Sequence, residues 1–141
     1  MSVNTPVASS VATLLIHEKQ VLLGRRFECV GEQKKFVGWQ CPGGYLQIGE
    51  SIEQAAQKYC IQKAGIEITQ MRPGPYTNNI FSKTLHTTTL YVIGKGYQVV
   101  NQSQFTSEQH QWGWFDFEQL PEPLFLPLTF LVPDIIAGRY D

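Results

Sequence analysis

The sequence is poor in several features that mark functional classes. Cysteine is scarce and odd in number: Cys29, Cys41 and Cys60 show no C-x-x-C spacing. They give neither a disulfide framework nor a zinc-site signature, and they point to a reducing cytoplasm. Charge is sparse as well, with eleven Lys and Arg against twelve Asp and Glu for a formal net charge of -1. That balance excludes an electrostatic grip on a nucleic-acid polymer or an anionic membrane, whereas a small anionic ligand needs only a few local cations. The longest apolar stretch near the N-terminus, Val11 to Ile16, contains Thr13 and is far too short to span a bilayer. With no basic leader region, the chain reads as mature, soluble and cytoplasmic. No repeat, low-complexity tract or linker interrupts the 141 residues, of which 43% are hydrophobic, enough for one domain, 1–141, around one core.

Local patterns predict the elements. Residues 7 to 16 and 21 to 26 are apolar and β-branched around a polar turn, a hairpin signature. Phe36 to Cys41 reads as a short strand before the sharp turn Pro42-Gly43-Gly44. Ser51 and Gln54 form an S-x-x-Q capping box, and Ile52, Ala55, Ala56, Tyr59 and Cys60 follow with the spacing of a buried helical stripe that Gly65 ends. Beyond it, Pro73-Gly74-Pro75 predicts a break, Thr77 to Ser82 and Thr87 to Gly94 predict strands, and residues 101 to 111 predict a loop. Trp112 to Phe117 reads as a strand, and a last helix is expected from about Leu128 to Ala137 with Pro133 disturbing its middle. The order predicts an α+β domain with helices packed on a mixed sheet.

The stretch Gly43 to Ile66, GGYLQIGESIEQAAQKYCIQKAGI, carries the strongest functional signal. It resembles the Nudix box, G-x5-E-x7-R-E-U-x-E-E-x-G-U with U aliphatic. Gly44 takes the first position, Glu50 the first Glu, and Gly65-Ile66 the close, without a gap. LLGRR at 22 to 26, W-x-C-P-G-G at 39 to 44, W-G-W-F at 112 to 115 and the Pro-rich segment 120 to 128 are similar to the corresponding parts of MutT-like Nudix hydrolases. The resemblance implies a Nudix fold, an α-β-α sandwich about a central mixed sheet. It also implies a small diphosphate-containing ligand, such as a nucleoside-diphosphate-linked compound, and leaves room for a homodimer.

In that family three glutamates of the box helix and a backbone carbonyl of the glycine turn, here that of Gly43, hold a divalent metal that activates water. The three positions here are Tyr59, Gln62 and Lys63, and the family's Arg is Lys58. Replacing three carboxylates by Tyr, Gln and Lys moves the face from -3 to +1, a swing of four units. An ammonium about 5 Å from a dication is repelled by roughly 7 kcal/mol at an effective dielectric near 20. Magnesium or manganese is therefore expected to bind weakly or not at all at this helix, and ordinary metal-dependent pyrophosphohydrolysis is doubtful.

Two alternatives to that chemistry are legible. Glu108-Gln109-His110 ahead of Trp112 is similar to a segment of GDP-mannose mannosyl hydrolases, which implies glycosyl hydrolysis of a nucleotide sugar with Gln109 as a metal ligand and His110 as base. Glu50 is the second candidate catalytic group, although a carboxylate there also suits the helix dipole. The other alternative is a noncatalytic sensor or interaction module. In either a binding or a catalytic role, Lys58 or Lys63 would meet a phosphate as a fixed cation, joined by whichever of Arg25 and Arg26 faces the cleft. Gly43, Gly44, Tyr45 and Phe81 complete the expected ligand contacts by their place in the family pattern. Cys60, on the buried stripe, is expected to be inert packing.

Overall fold

The structure, a computed structural model, describes residues 6–141. It opens with the expected hairpin: β1 (Ala8–His17) turns through Glu18 and Lys19 into β2 (Gln20–Val30). Both turn residues have positive φ, 51° and 63°, the pair that matches the twist of a two-residue hairpin. β2 folds back on β3 (Gln33–Gln40), and β4 (Gly43–Tyr45) pairs antiparallel with the first half of β1. With β5 (Ile66–Ile80) and β6 (His86–Val99) the sheet runs in the order β3-β2-β1-β6-β5, and β7 (Gly113–Asp116) pairs with β2.

Helices cover both faces. α1 (Ile52–Tyr59), prolonged by a π-helical turn at Cys60–Ala64, lies on one, with α2 (Gln102–Phe105) beside that turn. α3 (Leu126–Thr129) and α4 (Val132–Ile136) lie on the other. β1 and β6 are parallel, and parallel strands need cover on both sides. β1 accordingly alternates between two cores: Ala12, Leu14 and Ile16 pack with Leu128, Leu131 and Ile135, while Val11 and Leu15 pack with Ala55, Ala56, Cys60 and Ala64. This is why its sequence is a nearly continuous apolar run. The arrangement is the α-β-α sandwich about a mixed sheet that the resemblance implies.

α1 starts where its capping box does. Ser51 Oγ accepts the Gln54 N–H at 3.0 Å and Gln54 Oε1 accepts the Ser51 N–H at 2.8 Å. It stops at Gly65, whose φ of 66° lies in the left-handed region.

Four features of the elements differ from expectation. Pro73-Gly74-Pro75 does not break the chain: β5 continues through it with register shifts, because β5 is an edge strand and a proline lacking an N–H is tolerated there. It ends at Ile80, short of Ser82. Within 101 to 111, Asn101 caps the short α2 by accepting the Gln104 N–H. The last helix is divided into α3 and α4, with Pro133 in the first turn of α4, where its missing N–H costs nothing.

Candidate ligand-binding site

On the α3 side of the sheet, next to the glycine turn, lies a cavity of about 340 Å³. Gly43, Gly44 and Tyr45 form one rim, Arg26 and Lys63 bring positive charge, and Phe81 and Phe125 form an aromatic wall. These two rings are stacked, with centroids 5.6 Å apart and planes at 25°. The Arg26 guanidinium lies 4.4 Å from the Phe125 ring centroid, a cation–π contact that also fixes the arginine. Its Nη1 donates to Gln40 Oε1 at 3.2 Å, and its Nε is 3.5 Å from the Glu28 carboxylate.

The sheet supplies a hydroxyl-bearing floor. Ser10, Thr87 and Thr89 line the cavity, and the Ser10 and Thr89 hydroxyls are 2.9 Å apart. Behind them Asn79, wholly buried, donates its Nδ2 to Thr87 Oγ1 at 3.0 Å and Thr89 Oγ1 at 2.9 Å. Each threonine oxygen thus accepts from behind, which leaves its own O–H to donate elsewhere.

Two lysines of the helix part company. Lys58 Nζ pairs with Glu50 Oε2 at 2.6 Å, outside the cavity, while Glu50 Oε1 accepts the Gln47 N–H at 2.8 Å. The Lys58 hydrogen bond, followed by that of Gln47, holds the Glu50 carboxyl below its ordinary value. Lys63 instead lines the cavity, and its Nζ donates to the Gly43 carbonyl oxygen. Burial, with the charge of Arg26 as a smaller contribution, holds its pKa below the usual lysine value. Between them the Tyr59 hydroxyl donates to the Tyr45 carbonyl, and the Tyr59 ring packs on Gly44, where any Cβ would fall 2.5 Å from it.

The backbone of Lys63 is held from outside the helix. Its carbonyl accepts from Trp112 Nε1 at 2.7 Å and from Gln104 Nε2 at 3.0 Å.

The remaining candidates lie elsewhere. Gln109 is exposed, and its N–H donates to Ser107 Oγ. The half-buried His110 donates Nδ1–H to the Arg25 carbonyl at 3.2 Å and rests against the Trp112 ring. Burial is the main influence lowering its pKa; the Arg25 carbonyl opposes that and the Lys63 charge adds to it. Arg25 points away from the cavity, over Phe27 and toward the Glu108 carbonyl. Neither Glu50, Gln109 nor His110 lines the cavity, so the three do not converge in it. Gly43, Gly44, Tyr45, Arg26, Lys63 and Phe81 do come together there.

The donor set does not fit a dication. The helix offers Tyr59, an exposed Gln62 and Lys63, and the Gly43 carbonyl already accepts from the Lys63 ammonium. Among the described residues no three His, Cys, Asp or Glu side chains stand together in a metal-binding group.

The sequence profile of the NUDIX domain matches residues 6–131. The chain belongs to the NUDIX domain family. Its fold is similar to that of a MutT NUDIX hydrolase from Burkholderia pseudomallei, with a TM-score of 0.71 at 18% identity over 93% of this chain and 98% of that one. A NUDIX hydrolase from Nitrosomonas europaea gives 0.70 at 14% identity over 96% and 91% of the two chains. An ADP compounds hydrolase gives 0.65 at 14% identity over 93% and 74%. At such identities the likeness is one of fold.

Several cavity residues of this NUDIX domain escaped the sequence reading: Ser10, Thr87 and Thr89, with Asn79 behind them, and Phe125. The signal for the threonines was present, since Thr87 and Thr89 alternate with Tyr91 on one face of a strand. Phe125 carries no such signal, because its place depends on how the Pro-rich segment crosses the sheet.

Proposed function

We propose that this NUDIX domain binds a small organic diphosphate, of the nucleoside-diphosphate type, in the cavity beside the glycine turn. It does so as a divergent relative of the family's hydrolases, without ordinary metal-dependent pyrophosphohydrolysis at the box helix. The observation that carries this reading is the pairing of two cations, Arg26 and Lys63, with an aromatic wall and a hydroxyl floor in one cavity of about 340 Å³. That volume lies in the range of small-molecule sites, and the mixture suits a ligand that is anionic at one end and planar and polar at the other. Three free thiols, two of them buried, support a reducing, cytoplasmic setting. No helix among the described residues is long and apolar enough to cross a membrane.

Phosphorus NMR of nucleoside diphosphates and triphosphates, nucleotide sugars and prenyl diphosphates, each with magnesium and with chelator, tests the reading. Broadened or shifted resonances without product are expected for the nucleoside diphosphates. Chelator-sensitive turnover that disappears in His110→Ala would instead establish the route through Gln109 and His110.

A further inference from the structure

We propose that Lys63 is a resident cation that takes the role of the family's dication and receives a ligand phosphate directly, so that binding needs no divalent metal. This rests on the cavity being the diphosphate site, and it names the group that makes the site work.

The first observation is the position of the ammonium. Lys63 lines the cavity, and its Nζ is bonded to the Gly43 carbonyl, the one backbone group of the glycine turn expected to face a metal. A lysine ammonium has three donors, and this one carries no ion pair with a carboxylate among the described residues. A partly buried charge with donors to spare is best completed by an anionic oxygen. Arg26, the other cation of the cavity, already shares its charge with Glu28. Lys63 is therefore the stronger anchor.

The second observation is that its backbone is fixed independently of any ligand. Trp112 and Gln104, from two separate segments, both donate to the Lys63 carbonyl. The π-helical turn Cys60–Ala64 places that carbonyl between them, and such turns occur often at functional sites. The ammonium also lies 5.2 Å from the Tyr59 ring centroid. A charge held in place before the ligand arrives loses little entropy on binding.

The test is calorimetry with ADP and inorganic pyrophosphate as probes, each in chelator and in magnesium, on wild type, Lys63→Met, Lys63→Glu and Lys95→Met. Lys95 does not line the cavity and reports a nonspecific charge effect. Thermal melts establish that each variant is folded, and Lys63→Gln, which also removes the charge while keeping a polar side chain, is the substitute if Lys63→Met is not. Wild type is expected to bind ADP about equally in chelator and in magnesium. In chelator, Lys63→Met is expected to lose about 10- to 100-fold in affinity, the scale of one or two charge-assisted hydrogen bonds. Lys63→Glu is expected to lose more, and Lys95→Met less than about twofold. Wild-type binding that requires magnesium would overturn the role of Lys63 and leave the cavity reading intact. So would equal chelator-insensitive binding by wild type and Lys63→Met, with Phe125→Ala then showing that the probe still uses the cavity. Binding of neither probe in either condition would overturn both.

Discussion

The helix that follows the glycine turn carries two lysines little more than a turn apart, Lys58 in the last turn of α1 and Lys63 in the π-helical turn, and the two have opposite surroundings. Lys58 meets Glu50, so its charge is neutralised where it stands. Lys63 meets a backbone carbonyl and the Tyr59 ring but no carboxylate, and it lines a cavity that a second cation also lines. The contrast teaches that charge replacement within a motif is not uniform. One lysine ties down the loop before the helix. The other leaves an unmatched positive charge facing the place where a ligand would lie.

The largest effect is expected from reversing that charge. Tyr59→Glu, Gln62→Glu and Lys63→Glu together would give the helix face three carboxylates and free the Gly43 carbonyl. Calorimetry should then show manganese or magnesium affinity that wild type lacks, and ADP binding should become metal-dependent. A folded triple variant with no gain in metal affinity would mean that the glycine turn itself is no longer competent to hold a dication. The contrast between the two lysines would then not be a simple exchange of charge.

A smaller effect is expected where the second lysine is held. Trp112→Phe keeps an aromatic ring but not the full indole, and it removes the donor to the Lys63 carbonyl, which retains Gln104. A cost of about 2 to 3 kcal/mol in urea unfolding is expected, from the lost bond and the cavity left by the smaller ring together, with ADP affinity in chelator reduced a few-fold. Unchanged ADP affinity alongside lost stability would show that the bond serves the fold and not the lysine.

The smallest effect is expected at the first lysine. Lys58→Met should lower the melting temperature slightly near neutral pH and leave ADP affinity unchanged. The Glu50 carboxyl is held below its ordinary value of 4.5, chiefly by Lys58. A group with a depressed folded pKa contributes stability that is fully present above the unfolded value and lost as pH falls through the folded one. The difference between wild type and Lys58→Met should therefore hold between the ordinary Glu and Lys values, 4.5 and 10.5, and vanish in acid. A difference that persists in acid would show that the stem of Lys58, and not its charge, supports the loop.

Much of the fold was legible because its signals are local. The capping box at Ser51, the stop at Gly65 and the double-faced apolar run of β1 each depend on residues a few positions apart. The edge strand through Pro73 and Pro75 was not, because whether a missing N–H matters depends on which side of the strand has a neighbour. In the candidate site, the loss of the three carboxylates could be read directly from Tyr59, Gln62 and Lys63. Which of Lys58 and Lys63 lines the cavity could not, since that follows from Glu50 pairing with Lys58 and from a π-helical turn that alters the spacing of the face. The same holds for Arg25 and Arg26. Alternation requires them to diverge, and only the finished sheet shows that Arg26 faces the cavity.

The most direct measurement observes the two ammonium groups themselves. In ¹⁵N-labelled protein the Nζ correlations of Lys58 and Lys63, assigned by their loss in the corresponding arginine variants, can be followed as ADP is added in chelator. The Lys63 signal is expected to shift saturably while that of Lys58 stays in place. ADP binding that leaves Lys63 unmoved, or that moves both lysines alike, would contradict the assignment of Lys63 as the cation that meets the phosphate.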